Sequence, residues 1–272
     1  MATSKAFAPA KVNLTLHVTG QREDGYHLLE SLVMFADVGD RIALSLSDTP
    51  SLSVTGPMGQ GVPTGPENLV IRAADLMGVA AEITLEKHLP AAAGIGGGSS
   101  DAAAVLAALR DLTGKPVPDQ GLSLGADVPV CLAGKAAMMR GIGEDVTPVE
   151  DLPELHCVLV NPGVAVPTGA VFKGLARKNN PAMDPLPAQP GFGALIGWLK
   201  LQRNDLEKPA IAAQPVIGEV LEAIAATQGC ALARMSGSGA TCFGLYASAA
   251  EAKAAAGELQ RDGWWVAAAR LS

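Results

Sequence analysis

The sequence predicts a two-domain α+β protein. Three observations lead there. Period-2 and helical segments are mixed along all 272 residues, with no repeat of solenoid period. A polar stretch with two prolines, Asp145 to Leu155, interrupts them near the middle, and a second set of elements opens after it. A chain this long holds one large domain or two small ones, and the expected division is 1–150 and 151–272.

In order, Ala10, Val12, Leu14, Leu16 and Val18 alternate with polar residues and read as a strand with one apolar face. Asp24-Gly25 signals a turn. Ile42, Leu44 and Leu46 mark another strand, and Pro57 to Pro66 a loop. Leu69, Ala73, Leu76 and Met77 share a helical face that Gly78 ends. Ile83 and Leu85 give a short strand. A helix from Ala102 to Leu112 carries Val105, Leu106, Leu109 and Leu112 as its buried stripe, and Gly114 and Pro116 end it. In the second half, Cys157 to Val160 begins a strand, and Asn179 to Gly193 is a proline-rich loop. Helices follow through Leu195–Leu201 and Val216–Ile224. Strands at Ala231–Met235 and Thr241–Tyr246 flank Ser236-Gly237-Ser238-Gly239. Ser248-Ala249-Ala250-Glu251 is a capping box that starts a helix, and Trp264–Leu271 is the last strand.

Hydrophobic residues make up 49% and charged residues 17%, the composition of a globular chain. No apolar run reaches the roughly 20 residues of a membrane span, and no long apolar core marks a signal peptide at the N-terminus. A net charge of −7 argues against an extended nucleic-acid surface. Four scattered cysteines and four unpaired histidines give no metal or disulfide spacing. A cytoplasmic protein that binds neither membrane nor nucleic acid is expected.

The most informative stretch is Leu89-Pro90-Ala91-Ala92-Ala93-Gly94-Ile95-Gly96-Gly97-Gly98-Ser99-Ser100-Asp101. Four glycines in five positions remove side chains that would keep a ligand from the backbone. Their N–H groups can curl around an anion, and the helix behind adds its positive dipole end. Ser99, Ser100 and Asp101 all suit an N-cap. This reads as a phosphate cradle, although a glycine linker is the plainer alternative. It is neither a Walker A loop nor the dinucleotide fingerprint.

Two further segments change the odds when taken with it. Lys11 and Asn13 share the polar face of the first strand. Alone, that is an ordinary solvated face. Ser236–Gly239 alone is a hairpin turn. Together, Ala8-Pro9-Ala10-Lys11-Val12-Asn13-Leu14, Pro90-x-x-x-Gly94-Ile95-Gly96-Gly97-Gly98-Ser99-Ser100 and Ser236-Gly237-Ser238-Gly239-Ala240 resemble the three motifs of the GHMP small-molecule kinases. Asp24-Gly25-Tyr26-His27, Leu124-Gly125-Ala126-Asp127-Val128-Pro129 and Asn204-Asp205-Leu206-Glu207 narrow the resemblance to the branch acting on cytidine diphosphate methylerythritol.

The resemblance implies a two-domain GHMP kinase fold. Its N-terminal domain would carry ATP and contain a left-handed βαβ crossover, against the usual rule. Its C-terminal domain would be a ferredoxin-like α/β sandwich. It also implies ATP as co-substrate, with Mg2+ bridging its phosphates and Ser99 or Ser100 as the residues that could touch the ion. Asp127 matches the catalytic aspartate and Lys11 its lysine partner; unaided, Asp127 reads as a turn carboxylate. Pro90, Ala91, Ala92, Ala93, Gly94, Ile95, Gly96, Gly97, Gly98, Ser99 and Ser100 match the ATP loop, with Asn68 and Lys87 near adenine. Tyr26 and Phe172 match two rings that sandwich cytosine, His27 an edge contact, and Asn13 and Thr168 further substrate contacts. With only three Trp, two Tyr and five Phe in the chain, each loop aromatic is informative. A monomer or weak homodimer is expected. Two departures stand out. Asp101 sets a carboxylate beside the anion loop, and the segment from Leu112 to Leu124 is short, as if one helix were trimmed. Homoserine- and mevalonate-type kinases and a non-catalytic nucleotide binder are the competing readings.

Overall fold

A computed structural model describes residues 3–91 and 93–272. Its elements run β1 (Thr3–Asn13), β2 (His17–Gln21), β3 (His27–Leu46), β4 (Ser51–Thr55), α1 (Leu69–Met77), β5 (Ala81–Glu86), α2 (Gly97–Thr113), a 3-10 segment (Pro118–Leu124) and α3 (Val128–Ala133). There follow β6 (Ala137–Gly141), β7 (Asp145–Pro148), β8 (Leu155–Asn161), α4 (Thr168–Lys173), α5 (Phe192–Leu201), α6 (Glu207–Ala213) and α7 (Val216–Ala226). The chain closes with β9 (Leu232–Met235), β10 (Cys242–Tyr246), α8 (Ala249–Glu258) and β11 (Trp265–Leu271). The described residues form two compact units, each assembled from separate stretches. One takes the chain up to Lys11, Val38–Ala91 and Gly96–Gly134. The other takes Val12–Asp37, residues 93–95 and Lys135–Ser272.

In the first unit, β5 lies between β4, its parallel neighbour, and the second half of β3, its antiparallel one. The β4–α1–β5 run is thus a βαβ unit. Asn68 caps α1 by accepting the Val70 N–H, and Gly78 closes it at φ 58°. Both follow from sequence: an Asn side chain satisfies an orphan N–H, and glycine adopts the left-handed cap. α1 and α2 pack together, burying Val70, Ala73 and Met77 of one and Val105, Leu106 and Leu109 of the other. The short 112–124 segment is accommodated without a full helix. Asp119, Gln120 and Gly121 take positive φ, and the Asp119 carboxylate accepts the N–H groups of Gly121 and Ser123.

In the second unit, β2 and the start of β3 form a hairpin with His17 opposite Glu30 and Gln21 opposite His27. β6 adds to β3, and β7 to β6. A four-stranded sheet, β11-β8-β10-β9, is antiparallel throughout. With α7 between β8 and β9 and α8 between β10 and β11, this is the ferredoxin-like βαββαβ order. Its core holds Val158, Val160, Ile217, Val220, Ile224, Cys242, Tyr246 and Ala255. The capping box at Ser248 and Glu251 is formed in both directions.

The structure departs from the sequence reading in four places. The strand expected over 10–18 is two strands, broken at Leu14–Leu16, where Ser31 Oγ donates to Thr15 O and Thr15 Oγ1 accepts from Leu32 N. It has no solvated face, because Lys11, Asn13, Thr15 and His17 are all at least 97% buried. The helix after the glycines starts at Gly97, not Ala102, with Gly96 as N-cap at φ 65°. Ser99, Ser100 and Asp101 therefore lie inside the helix and cap nothing. Part of the 145–155 stretch is β7. No helix among the described residues is long and apolar enough to cross a membrane.

One buried group makes stability depend on pH. His17 Nε2 accepts the Arg203 N–H, which requires a neutral ring. Burial, then the Arg203 charge, holds its pKa below 6.5. The unfolded chain therefore takes up this proton at higher pH than the folded one, and stability is lost as pH falls below about 6.5. Urea melts at pH 7.5 and 5.5 check this: the advantage of wild type over His17→Gln is expected to shrink at the lower pH.

Candidate active site

The first unit brings Lys11, Asp127 and the start of α2 together. Lys11 leaves β1 with its side chain 3% exposed, and its Nζ lies 3.0 Å from Asp127 Oδ1. Asp127 is the N-cap residue of α3, positioned by a turn in which Val128 N donates to Gly125 O. Its side chain is 40% exposed, so an ammonium anchored in the protein faces a carboxylate open to a ligand. Gly96 lies against this pair: a Cβ there would come within 3.2 Å of Lys11 Cβ and Cε. α3 is tied to α2 by Ser100 Oγ, which donates to Cys131 Sγ at 3.4 Å. Burial pushes the Cys131 thiol up to about 12, with the Asp127 charge adding to it, so it is an inert packing group.

At the head of α2, the Ser100 N–H takes the Gly96 carbonyl. The N–H groups of Gly97, Gly98 and Ser99 have no carbonyl one turn earlier to take. They stand at the positive end of a 17-residue helix, an arrangement that suits an anion. Lys87 approaches from the end of β5, its Nζ 3.7 Å from where a Gly97 Cβ would stand. It is held in a buried trio with Asp40 and Asp101. Asp40 also accepts the N–H groups of His88 and Leu89. Burial favours the neutral amine of Lys87, but Asp101 and Asp40 together outweigh it and raise its pKa. Burial pushes the Asp101 carboxyl up to about 7, against the pull of the Lys87 ammonium. Asp101 thus pairs with Lys87, which removes the repulsion its position beside the glycines suggested. Asn68 is committed to the α1 cap and to Pro63 O.

In the second unit, Gly94 is locked against the third glycine motif. It takes φ 72°, and a Cβ there would come within 2.5 Å of Ser236 O and 2.8 Å of Gly239 N. Ser236 Oγ donates to Gly94 O and accepts the Asn13 N–H, while Asn13 Nδ2 donates to Ser31 Oγ. Of the other residues expected in the ATP loop, Pro90 and Ala91 belong to the first unit, buried and exposed respectively; Ala93 and Ile95 are buried, and Ala92 lies outside the described residues.

The aromatic residues also fall in this unit. Tyr26 sits in the β2–β3 turn with 61% exposure, its N–H on Asp24 Oδ1. The Phe172 ring, from α4, stacks on His27 at 4.7 Å and 24°. Burial and then Lys178 lower the His27 pKa, which favours a neutral ring with both a donor and an acceptor nitrogen. Thr168 Oγ1 and Ser238 Oγ lie 2.9 Å apart. Sequence reasoning missed Asp40, Cys131 and Ser31; none belongs to a local pattern, and each is reached only through a partner distant in sequence.

The chain is similar to known proteins over nearly its whole length. The family model described as GHMP kinases N terminal domain matches residues 68–139, and that for GHMP kinases C terminal matches 188–263. Over 268 residues the chain is 61% identical to a protein of Dinoroseobacter shibae named 4-diphosphocytidyl-2-C-methyl-D-erythritol kinase, covering 96% of this chain and 92% of that one. A protein of the same name from Paracoccus denitrificans is 57% identical, covering 97% and 96%. A crystal structure of 4-(cytidine 5'-diphospho)-2C-methyl-D-erythritol kinase aligns with a TM-score of 0.79 at 36% identity over 99% of both chains. Homoserine kinase from Cytophaga hutchinsonii, at 20% identity, shares the fold, with a TM-score of 0.68 over 99% of this chain and 95% of its own.

Proposed function

This chain belongs to the GHMP kinase family, and from that premise we propose that it transfers the γ-phosphoryl group of ATP to the 2-hydroxyl of 4-diphosphocytidyl-2-C-methyl-D-erythritol in non-mevalonate isoprenoid synthesis. The observation that carries the chemistry is the 3.0 Å Lys11–Asp127 pair beside the N-cap of α2. The relatives at 61% and 57% identity support the substrate.

Phosphoryl transfer has a loose transition state, so the protein acts by positioning and electrostatics. The terminal phosphate lies at the N–H groups of Gly97, Gly98 and Ser99. The 2-hydroxyl meets Asp127, which takes its proton as the new O–P bond forms and ADP leaves. Lys11 orients that carboxylate and offsets negative charge on the attacking oxygen. Asn68 and Lys87 lie on the adenine side. In this reading residues 1–150 handle ATP, and 151–272 complete the substrate site.

Mg2+ bound with ATP would neutralise phosphate charge. The half-buried Ser99 carries a hydroxyl oxygen, a donor type that fits a hard cation and would hold it, whereas the Ser100 hydroxyl is engaged with Cys131. Cytosine is held by Tyr26, His27 and Phe172, with Asn13 and Thr168 as further contacts. The chain acts in the cytoplasm as a monomer or weak homodimer, without nucleic acid.

Base–aromatic stacking contributes about 1–3 kcal/mol. Phe172→Ala is therefore expected to raise the acceptor KM roughly 10- to 100-fold with the ATP KM unchanged. Steady-state kinetics with each substrate varied in turn check this, and an unchanged acceptor KM removes Phe172 from the site.

A further inference from the structure

Asn204-Asp205-Leu206-Glu207 has no place in the chemistry above, yet each of its three polar side chains is hydrogen-bonded. Asn204 is 7% exposed. Its Oδ1 accepts the Leu206 N–H, and the two hydrogens of Nδ2 go to Met235 O and Gly237 O, each at 2.8 Å. Glu207 Oε2 accepts the Met235 N–H at 2.9 Å. Both backbone groups of Met235 are thus held by this segment, where β9 passes into the glycine turn.

The far side of the turn is the surface that shapes Gly94. A Cβ on Gly237 would meet Gly94 O at 2.7 Å. Ser236 Oγ donates to Gly94 O, and Thr241 N donates to Ala93 O. Asp205 faces elsewhere. Its N–H donates to Leu16 O, its Oδ2 accepts Val18 N at 2.7 Å, and its Oδ1 accepts Arg203 Nε. Val18 belongs to β2, whose last residue, Gln21, pairs with His27. Neighbouring side chains therefore brace two different structures, the glycine turn and the aromatic hairpin.

We propose that Asn204, helped by Glu207, is a positioning residue for ATP, acting through the Ser236–Gly239 turn on Gly94, and that Asp205 is a positioning residue for the nucleoside of the acceptor, acting through the β2–β3 hairpin. This rests on the reading of Gly94 as part of the ATP cradle and of Tyr26 and His27 as cytosine contacts. Truncating Asn204 strands two buried carbonyls and frees the turn to move away from Gly94. A misplacement of about 1 Å at a reacting centre costs up to about 100-fold, so a remote brace has room to act.

The test is a pair of variants in the full-length protein, with both substrates varied and backbone hydrogen exchange followed. Asn204→Ala is expected to raise the ATP KM about tenfold with the acceptor KM within about twofold. Exchange at residues 93–95 and 236–239 is expected to quicken. Asp205→Ala is expected to do the reverse: a higher acceptor KM, an unchanged ATP KM, and faster exchange in the hairpin. Asn204→Ala moving both KM values alike, or neither, overturns the proposal. If Asn204→Ala does not fold, Glu207→Ala carries the same split at about threefold, and an unchanged ATP KM overturns it. If wild type shows no turnover with the cytidylyl acceptor, the functional reading fails. Exchange then decides the brace alone, faster at 93–95 in Asn204→Ala supporting it and unchanged overturning it.

Discussion

Asp127→Asn is expected to lower kcat by about 10²–10⁴-fold, the usual contribution of a positioned general base, while leaving ATP binding close to wild type. The amide matches the carboxylate in size, so the α3 N-terminus and the turn from Gly125 keep their geometry. What disappears is the ability to take the hydroxyl proton as the O–P bond forms. The N–H groups of Gly97, Gly98 and Ser99, where the triphosphate is proposed to lie, belong to backbone that the substitution does not touch, so ATP binding is expected to persist. Rapid-quench single turnovers separate chemistry from binding, and titration with an unreactive ATP analogue gives the Kd. A variant retaining half of wild-type kcat removes Asp127 from the proton transfer.

Lys11→Met carries the second largest effect, an expected fall of about 10²–10³-fold in kcat, comparable to loss of an electrostatic donor at a reacting centre. Methionine fills most of the volume left by the buried lysine stem, so packing against Gly96 is kept. The carboxylate of Asp127 loses its 3.0 Å partner and is free to rotate into solvent on its exposed side. Thermal melting distinguishes this from unfolding: Tm is expected to stay within a few degrees while kcat collapses. An unchanged kcat with an intact fold would leave Lys11 a structural ion pair only.

These effects follow from features that differ in how far sequence reveals them. The α1 stop at Gly78 is a local pattern, and it is found where the residues place it, whereas the glycine run is partly helical, with Gly97 and Gly98 already in α2. The capping box at Ser248, like the stop at Gly78, is found in place. β3 is harder to see. Its run from Leu32 to Ala36 is buried on both faces and loses the alternation that marks a half-exposed strand. α3, α4 and α6 span six or seven residues, too short for a helical period to emerge. Lys11 and Asn13 occupy the polar positions of an alternating strand, and only tertiary contacts put them in the interior. Asp101 shows the limit most clearly. Adjacent to the anion loop it suggests repulsion, and its partners Lys87 and Asp40 lie 14 and 61 residues away in the chain. No local pattern carries that ion pairing.

The most direct measurement is phosphoryl transfer by the purified chain from ATP to three alcohols in parallel: 4-diphosphocytidyl-2-C-methyl-D-erythritol, homoserine and mevalonate. Phosphorus NMR of the products shows which oxygen is modified. A new phosphomonoester on the 2-position of the cytidylyl compound, with kcat/KM at least about 100-fold above the other two, is the expected result, since those lack a base to stack. Transfer to homoserine or mevalonate at equal or greater efficiency, or no transfer to the cytidylyl compound, would contradict it.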